Sequence, residues 1–413
     1  MFNTIVTVIG ALILALGLGS KWLERTPVPA TLLALLAGVL VGPAVLHWVD
    51  PAALGERPVI LERAARLTLG IGLVSVALRI PKEYPRRHWR EMITLISLGM
   101  VLMWGLSTAV VHLVLGLPLA LAAVIGAAVT ATDPIAATPI VTGRLAEQNL
   151  PDRMRRAISF ESGANDGLAY LFVFLPFLLL TRPAEEAVSH WLVHTLLWEV
   201  GAATAFGIAL GWAAGRSLQA AERRDLIQED WRMVYVAAMA LLAVGAGRLI
   251  RSDEVLLVFA AGAAFAQVVG PDDRKAEEHG QEAVNRFFSI PIFALIGTAL
   301  PWRGWAEMGW KGPLVAVLLL LLRRPPVLLL LRPVLPSVRS TRDALYMGWF
   351  GPIAVAAAYY AALMEHRLHE PRIWHVASLA ICASVIAHGM TAAPLTRLYG
   401  RTAASHEETS PDG

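Results

Sequence analysis

Residues 156–175, R-A-I-S-F-E-S-G-A-N-D-G-L-A-Y-L-F-V-F-L, hold Glu161, Ser162, Asn165 and Asp166 at the head of a strongly apolar run. Such a run belongs inside a bilayer, where a carboxylate at a helix centre costs roughly 2.5–3.5 kcal/mol or more and marks function. At about 100° per residue, Ser162 and Asp166 share one helix face, and Glu161 and Asn165 form a second such pair alongside. Oxygen ligands of this kind suit a hard monovalent cation or a proton, whereas soft metals favour Cys or His. Two carboxylates on one buried helix repel unless one has a cationic partner. The run V-A-V-L-L-L-L-L-R-R-P-P-V-L-L-L-L-R-P (315–333) offers Arg323 and Arg324 at mid-depth. An Arg there needs an anion, and Glu161 is the candidate, which leaves Asp166 free to trade a proton for a metal ion. The competing reading ends that span at Leu322, with both arginines at the interface.

A second polar feature lies upstream, in L-A-A-V-I-G-A-A-V-T-A-T-D-P-I-A-A-T-P-I-V (121–141), where Asp133 and two prolines interrupt what should be continuous helix. Proline lacks an N–H and clashes with the preceding turn, so the helix must break or kink. Backbone groups freed at membrane depth are tolerated only when buried in protein or lining a cavity. The ends of the resulting half-helices carry partial charges that can meet ions. A matching break is expected at Gly348, Gly351 and Pro352, in a span read as having no carboxylate.

These features need helices to position them. Of the 413 residues, 56% are hydrophobic and 16% charged, against about 25% charged in soluble domains. Apolar runs of about 17–25 residues, the length that crosses a bilayer, recur about thirteen times, and the short alternating segments of a membrane barrel are missing. The first run, Phe2 to Gly19, has no basic leader or convincing cleavage site and reads as a retained helix. The single Cys382 forms no internal disulfide. Alternate loops differ roughly twofold in Lys and Arg, so the positive-inside rule predicts an external N-terminus and a cytoplasmic C-terminus, which requires an odd number of spans. The broken spans sit seven apart and so run in opposite directions. Two six-helix units around one connecting helix would form an inverted repeat, the plan of many secondary transporters. Residues 1–402 form the membrane unit, and the polar 403–413 is expected to be a short disordered cytoplasmic tail.

Other polar and aromatic residues carry plainer expectations. His388 reads as a packing or hydrogen-bonding residue. Trp22, Trp48, Trp89, Trp302, Trp305 and Trp310 read as interfacial anchors. The stretch A-A-G-A-A-F-A-Q (260–267) reads as close helix packing at a candidate subunit contact. HExxH, CxxC, GxSxG and Walker motifs are missing, and no nucleophile–base pair assembles at depth, which argues against an enzyme. The net charge of +3 reflects cytoplasmic loops rather than nucleic-acid binding. A gated channel would be expected to contribute a filter loop and a continuous pore lining, and neither is visible.

T-D-P (132–134) followed by E-S-x-x-N-D-G (161–167), with R-P at 324–325 and H-G-M-T-A-A-P-L (388–395), resembles the monovalent cation:proton antiporters. The branch is that of the sodium/proton exchangers of NhaP type, and the resemblance spans roughly residues 5–400. It implies an all-α fold of about thirteen helices in an inverted repeat with two broken, crossing helices, in which a core domain moves against a dimerisation domain. It implies exchange of Na⁺, with Li⁺ as a further cation, for H⁺, without a cofactor, in a homodimer embedded in the lipid of the plasma (inner) membrane. Residue by residue, it makes Asp166 the shared cation/proton carboxylate, with Ser162 and the backbone around Thr132 completing the shell of a bound Na⁺. Asn165 and Asp133 would support the helix crossing, and Glu161 would pair with Arg324. An Asn–Asp pair, in place of Asp–Asp, resembles the electroneutral branch. The chain departs from the family at G-W-F-G-P (348–352), which lacks an Arg often found there. A K⁺/H⁺ exchanger of the same fold and a gated channel are the alternative readings.

Overall fold

The computed structural model describes residues 2–408, and no strand occurs among them. Each expected span is occupied by one helix or by one broken pair. In order these are α1 (Phe2–Leu18), α2 (Ala30–Val41), α3 (Arg57–Leu78) and α4 (Trp89–Leu115). The first broken pair follows, α5a (Leu119–Ala128) and α5b (Pro134–Val141), then α6 (Asp152–Thr181), α7 (Ala184–Arg223) and α8 (Glu229–Leu249). Next come α9 (Glu254–Val268), α10 (Pro271–Thr298), the pair α11a (Lys311–Leu322) and α11b (Pro325–Leu331), the pair α12a (Thr341–Trp349) and α12b (Val355–Leu368), and α13 (Arg372–Glu408). The tail expected at 403–413 overlaps the end of α13 and otherwise lies outside the described residues.

Among the described residues, six helices are long and apolar enough to cross a membrane unaided. The others are shorter, broken, or carry charges near their ends. The interruptions have local causes. Pro134 sits at the first helical position of α5b, where its missing N–H costs nothing, and Asp133 is the N-cap. Pro325 likewise restarts the chain after Arg323 and Arg324, so α11 is itself divided at the arginine pair.

Packing sorts the helices into two groups. In one, α7 lies along α9, α9 along α3, α3 along α10, and α10 along α2. In the other, α4 and α6 flank α5a, α11a lies between α4 and α13, α11b rests on α12a, and α12b on α13. The groups meet where α12b crosses α3 and where α6 crosses α9.

The stretch 260–267 packs closely against helices of the same chain. An added Cβ at Gly207 or Gly211 of α7 would come within 2.4 and 1.9 Å of the Leu257 and Ala261 carbonyls, and Gly262 abuts Ala77 and Val74 of α3. Trp305, on a short helix (Trp302–Met308) that precedes α11a, is partly buried, and its indole donates to the His375 carbonyl (3.0 Å), so it ties that helix to α13 and is no simple anchor. Trp22, Trp48, Trp89, Trp302 and Trp310 are exposed.

Candidate cation site

The two breaks meet at the centre of the bundle. Where α5a stops, carbonyls are left without helical partners, and where α5b starts, N–H groups are. The break in α12 leaves the same set. Because α5 and α12 run in opposite directions, both N-terminal half-helix ends converge, and so do both C-terminal ends.

One carboxylate serves the two N-terminal ends. Oδ1 of Asp133 accepts from the N–H groups of Ile135 (2.8 Å) and Ala136 (3.0 Å) on α5b. Its Oδ2 accepts from Val355 and Ala356 on α12b. The Asp133 N–H donates to the Pro352 carbonyl at 2.9 Å, stitching the two breaks directly. One guanidinium serves the C-terminal ends. Nη1 of Arg323 donates to the carbonyls of Val129 (2.7 Å), Thr130 (3.0 Å) and Ala131 (3.2 Å). Its Nη2 donates to Gly351. A negative group thus faces two positive dipole ends and a positive group faces two negative ends, the favourable arrangement in both cases. The G-W-F-G-P segment has no arginine of its own, and Arg323 supplies the guanidinium there from α11.

Arg324 turns the other way. It donates to the Phe350 carbonyl (2.8 Å) and forms an ion pair with Glu161. Both side chains are almost wholly buried. Asn165 continues this chain, donating to Thr132 Oγ1 (2.5 Å) and, more weakly, to Glu161 Oε1 (3.4 Å), while its carbonyl accepts from the Thr132 N–H (3.0 Å). Thr132, Asn165, Glu161 and Arg324 therefore form one hydrogen-bonded series that fixes α6 against the α5 break.

Asp166 stands outside that series. It is fully buried, and neither carboxylate oxygen has a hydrogen-bond partner among the described residues. A buried carboxylate left this way is costly in either protonation state unless something else occupies its lone pairs. Ser162 gives its proton to the Ile158 carbonyl one turn back (2.7 Å), which leaves its oxygen lone pairs unspent. Ser162 and Asp166 lie one turn apart on α6, and Thr132 is bonded to the neighbouring Asn165.

Three contributors go beyond the sequence reading. Arg323 is one: named there only as a candidate partner for an anion, it serves the C-terminal half-helix ends instead. Gly163 and Gly167 are another: an added Cβ there would reach 2.4 Å from the Phe259 ring and 2.7 Å from the Leu256 Cα, so this face brings α6 close against α9. Their four-residue spacing beside Asp166 was the available signal. The third is Tyr360, whose hydroxyl donates to the backbone carbonyls of Asp166 (2.5 Å) and Gly167 (3.2 Å). His388 is buried and shares a 2.9 Å hydrogen bond with Ser384 against the Trp349 ring, a packing role.

Residues 8–398 match the family described as sodium/hydrogen exchanger, transmembrane. The chain belongs to the sodium/hydrogen exchanger family. It is 30% identical over 401 residues to Na(+)/H(+) antiporter 2 of Zygosaccharomyces rouxii, covering 90% of this chain and 50% of the relative. A Na(+)/H(+) antiporter of Schizosaccharomyces pombe is 28% identical over 399 residues, covering 89% of this chain and 84% of the relative. The chain thus spans only about half of the Zygosaccharomyces relative. The fold is that of the sodium proton antiporter MjNhaP1 from Methanocaldococcus jannaschii, with a TM-score of 0.72 at 21% identity over 96% of this chain and 98% of that one. As a member of this transporter family the chain is an integral membrane protein, in keeping with its many apolar helices.

Proposed function

We propose that the chain is a secondary antiporter exchanging Na⁺, and Li⁺, for H⁺ by alternating access, with Asp166 as the shared site. The observation that carries this is Asp166 itself, wholly buried with both oxygens unpartnered among the described residues, at a crossing of broken helices where Asp133, Glu161, Arg323 and Arg324 all have partners. An ionised Asp166 holds the cation, a protonated Asp166 releases it, and the two occupants exclude each other. Ser162, with its lone pairs free, and Thr132, with its backbone at the α5 break, supply further oxygens to the Na⁺. Asn165 and Asp133 hold the crossing, and the Glu161–Arg324 pair is structural. One titrating carboxylate gives one proton per monovalent cation, an electroneutral exchange.

The unit of exchange is residues 1–402, in the plasma membrane as a homodimer, N-terminus outside and C-terminus in the cytoplasm. Support for that orientation comes from the basic loops that join the helix ends on the side of residues 79–90 and 142–156. The names of the relatives support Na⁺ over K⁺.

The test is exchange in proteoliposomes with Na⁺, Li⁺ and K⁺ in turn, with and without an imposed voltage. Na⁺ and Li⁺ should drive proton movement regardless of voltage, and Asp166→Asn should abolish it while the protein still purifies folded. Sodium-driven proton movement preserved in Asp166→Asn would remove Asp166 from its role. Flux of K⁺ alone would change the substrate, and flux that neither saturates nor needs a counter-gradient would point to a channel.

A further inference from the structure

A second polar cluster lies at the end of the bundle where α3 and α9 begin and α8 and α12b finish. Glu254 of α9 is 2% exposed and accepts from the Tyr359 hydroxyl of α12b at 3.1 Å. Its Oε1 lies 3.7 Å from Arg66 and 3.6 Å from Arg248, and Arg248 reaches Glu62 at 3.3 Å. Close by, Arg57 of α3 pairs with buried Glu365 of α12b, and its guanidinium lies 5.9 Å from the Trp374 ring centroid. The Trp374 indole donates to the Ala299 carbonyl just past α10 (2.9 Å).

These residues take no part in the Asp166 site, yet burying so many charges is costly unless they do something apolar packing cannot. Their placement shows what that is. Tyr359, Glu365 and Trp374 belong to the broken-helix group, whereas Arg57, Glu254 and Ala299 belong to the other, so the contacts span the boundary that alternating access must open. An apolar seam parting into water loses about 25 cal/mol for each Å² exposed. Charged groups parting there exchange a partner for water and lose little. A polar seam can therefore shut firmly and still open. It also reaches the site: Tyr360, which holds the backbone carbonyl of Asp166, follows Tyr359 directly and packs edge-on against it with ring centroids 4.9 Å apart.

We propose that the Glu254–Tyr359 and Arg57–Glu365 contacts form a latch that seals this mouth of the exchanger, and that releasing it exposes Asp166 to that side. The latch rests on the exchange reading above, and in the proposed orientation the mouth is the extracellular one. Tyr359, Glu254, Arg57 and Glu365 are then positioning residues that set the balance between the two facing states.

Accessibility tests this independently of transport. In a C382S background, A169C places a thiol on α6 one turn from Asp166 towards the latch, at a position that is fully buried. Labelling by a membrane-impermeant thiol reagent is followed in right-side-out and inside-out vesicles. Adding Y359F, E365Q or R57Q should raise labelling from the latch side at least about fivefold and lower it from the other side. The swapped pair R57E/E365R should return labelling towards the starting rate, and it serves where a single variant folds poorly. Unchanged latch-side labelling in the single variants, or a swap that labels as fast as they do, overturns the latch. Because labelling reports opening whatever ion is carried, loss of exchange with the expected labelling counts only against the exchange reading.

Discussion

Glu161 and Asp166 are five residues apart on one helix, and their surroundings divide them. Glu161 is matched by Arg324 and touched by Asn165, whereas neither oxygen of Asp166 has a hydrogen-bond partner among the described residues. Removing one half of a buried ion pair leaves the other as an uncompensated charge, typically at a cost of about 3–5 kcal/mol. Glu161→Ala should therefore lower the thermal unfolding temperature in detergent sharply, and the swap Glu161→Arg/Arg324→Glu should recover part of the loss. A double-mutant cycle that shows no coupling would mean that the pair does not act as a unit. Spacing alone makes a buried Arg–Glu pair a reasonable expectation, because two arginines and two carboxylates at depth must be matched somehow. It cannot say which arginine pairs. Arg323 and Arg324 are adjacent at a point where the helix stops, so the 3.6-residue period no longer sets their directions.

At the scale of elements, the crossing depends on two side chains that each serve two half-helices. Asp133 accepts from four N–H groups, two on α5b and two on α12b. Losing an N-cap costs about 1 kcal/mol per helix, and burial of the freed donors adds to it. Asp133→Ala should thus destabilise the protein by more than one cap's worth, and Asp133→Asn, which keeps one acceptor oxygen, by less. Equal unfolding temperatures for wild type and Asp133→Ala would show that the crossing is held elsewhere. The break in α5 is legible because Pro134 disfavours continuing the helix through it, and that in α12 because Gly351-Pro352 does, whereas Pro139 sits inside α5b. The division of α11 is less so: Pro325 and Pro326 permit either a broken span or a short one ending at Leu322, and only the carbonyls of Val129 to Ala131 decide what Arg323 is for. Those carbonyls lie more than 190 positions away along the chain.

For the whole molecule, the order of the spans follows from hydropathy, but the seam between the two groups does not. Glu254 meets Tyr359 across 105 positions and Arg57 meets Glu365 across 308, and no local periodicity encodes such pairs. If Asp166 is the shared site, as proposed, cation and proton compete for the same group throughout the cycle. On the acid side of the Asp166 titration, each unit fall in pH should weaken apparent Na⁺ affinity about tenfold, because only the ionised fraction binds. Maximal exchange at saturating Na⁺ should hold steady across the same range. Measuring sodium-driven proton flux in proteoliposomes over a pH series, at several Na⁺ concentrations for each pH, separates the two quantities. A maximal rate that falls at every Na⁺ concentration while apparent affinity stays constant would require a second titrating group that gates the cycle without touching the cation.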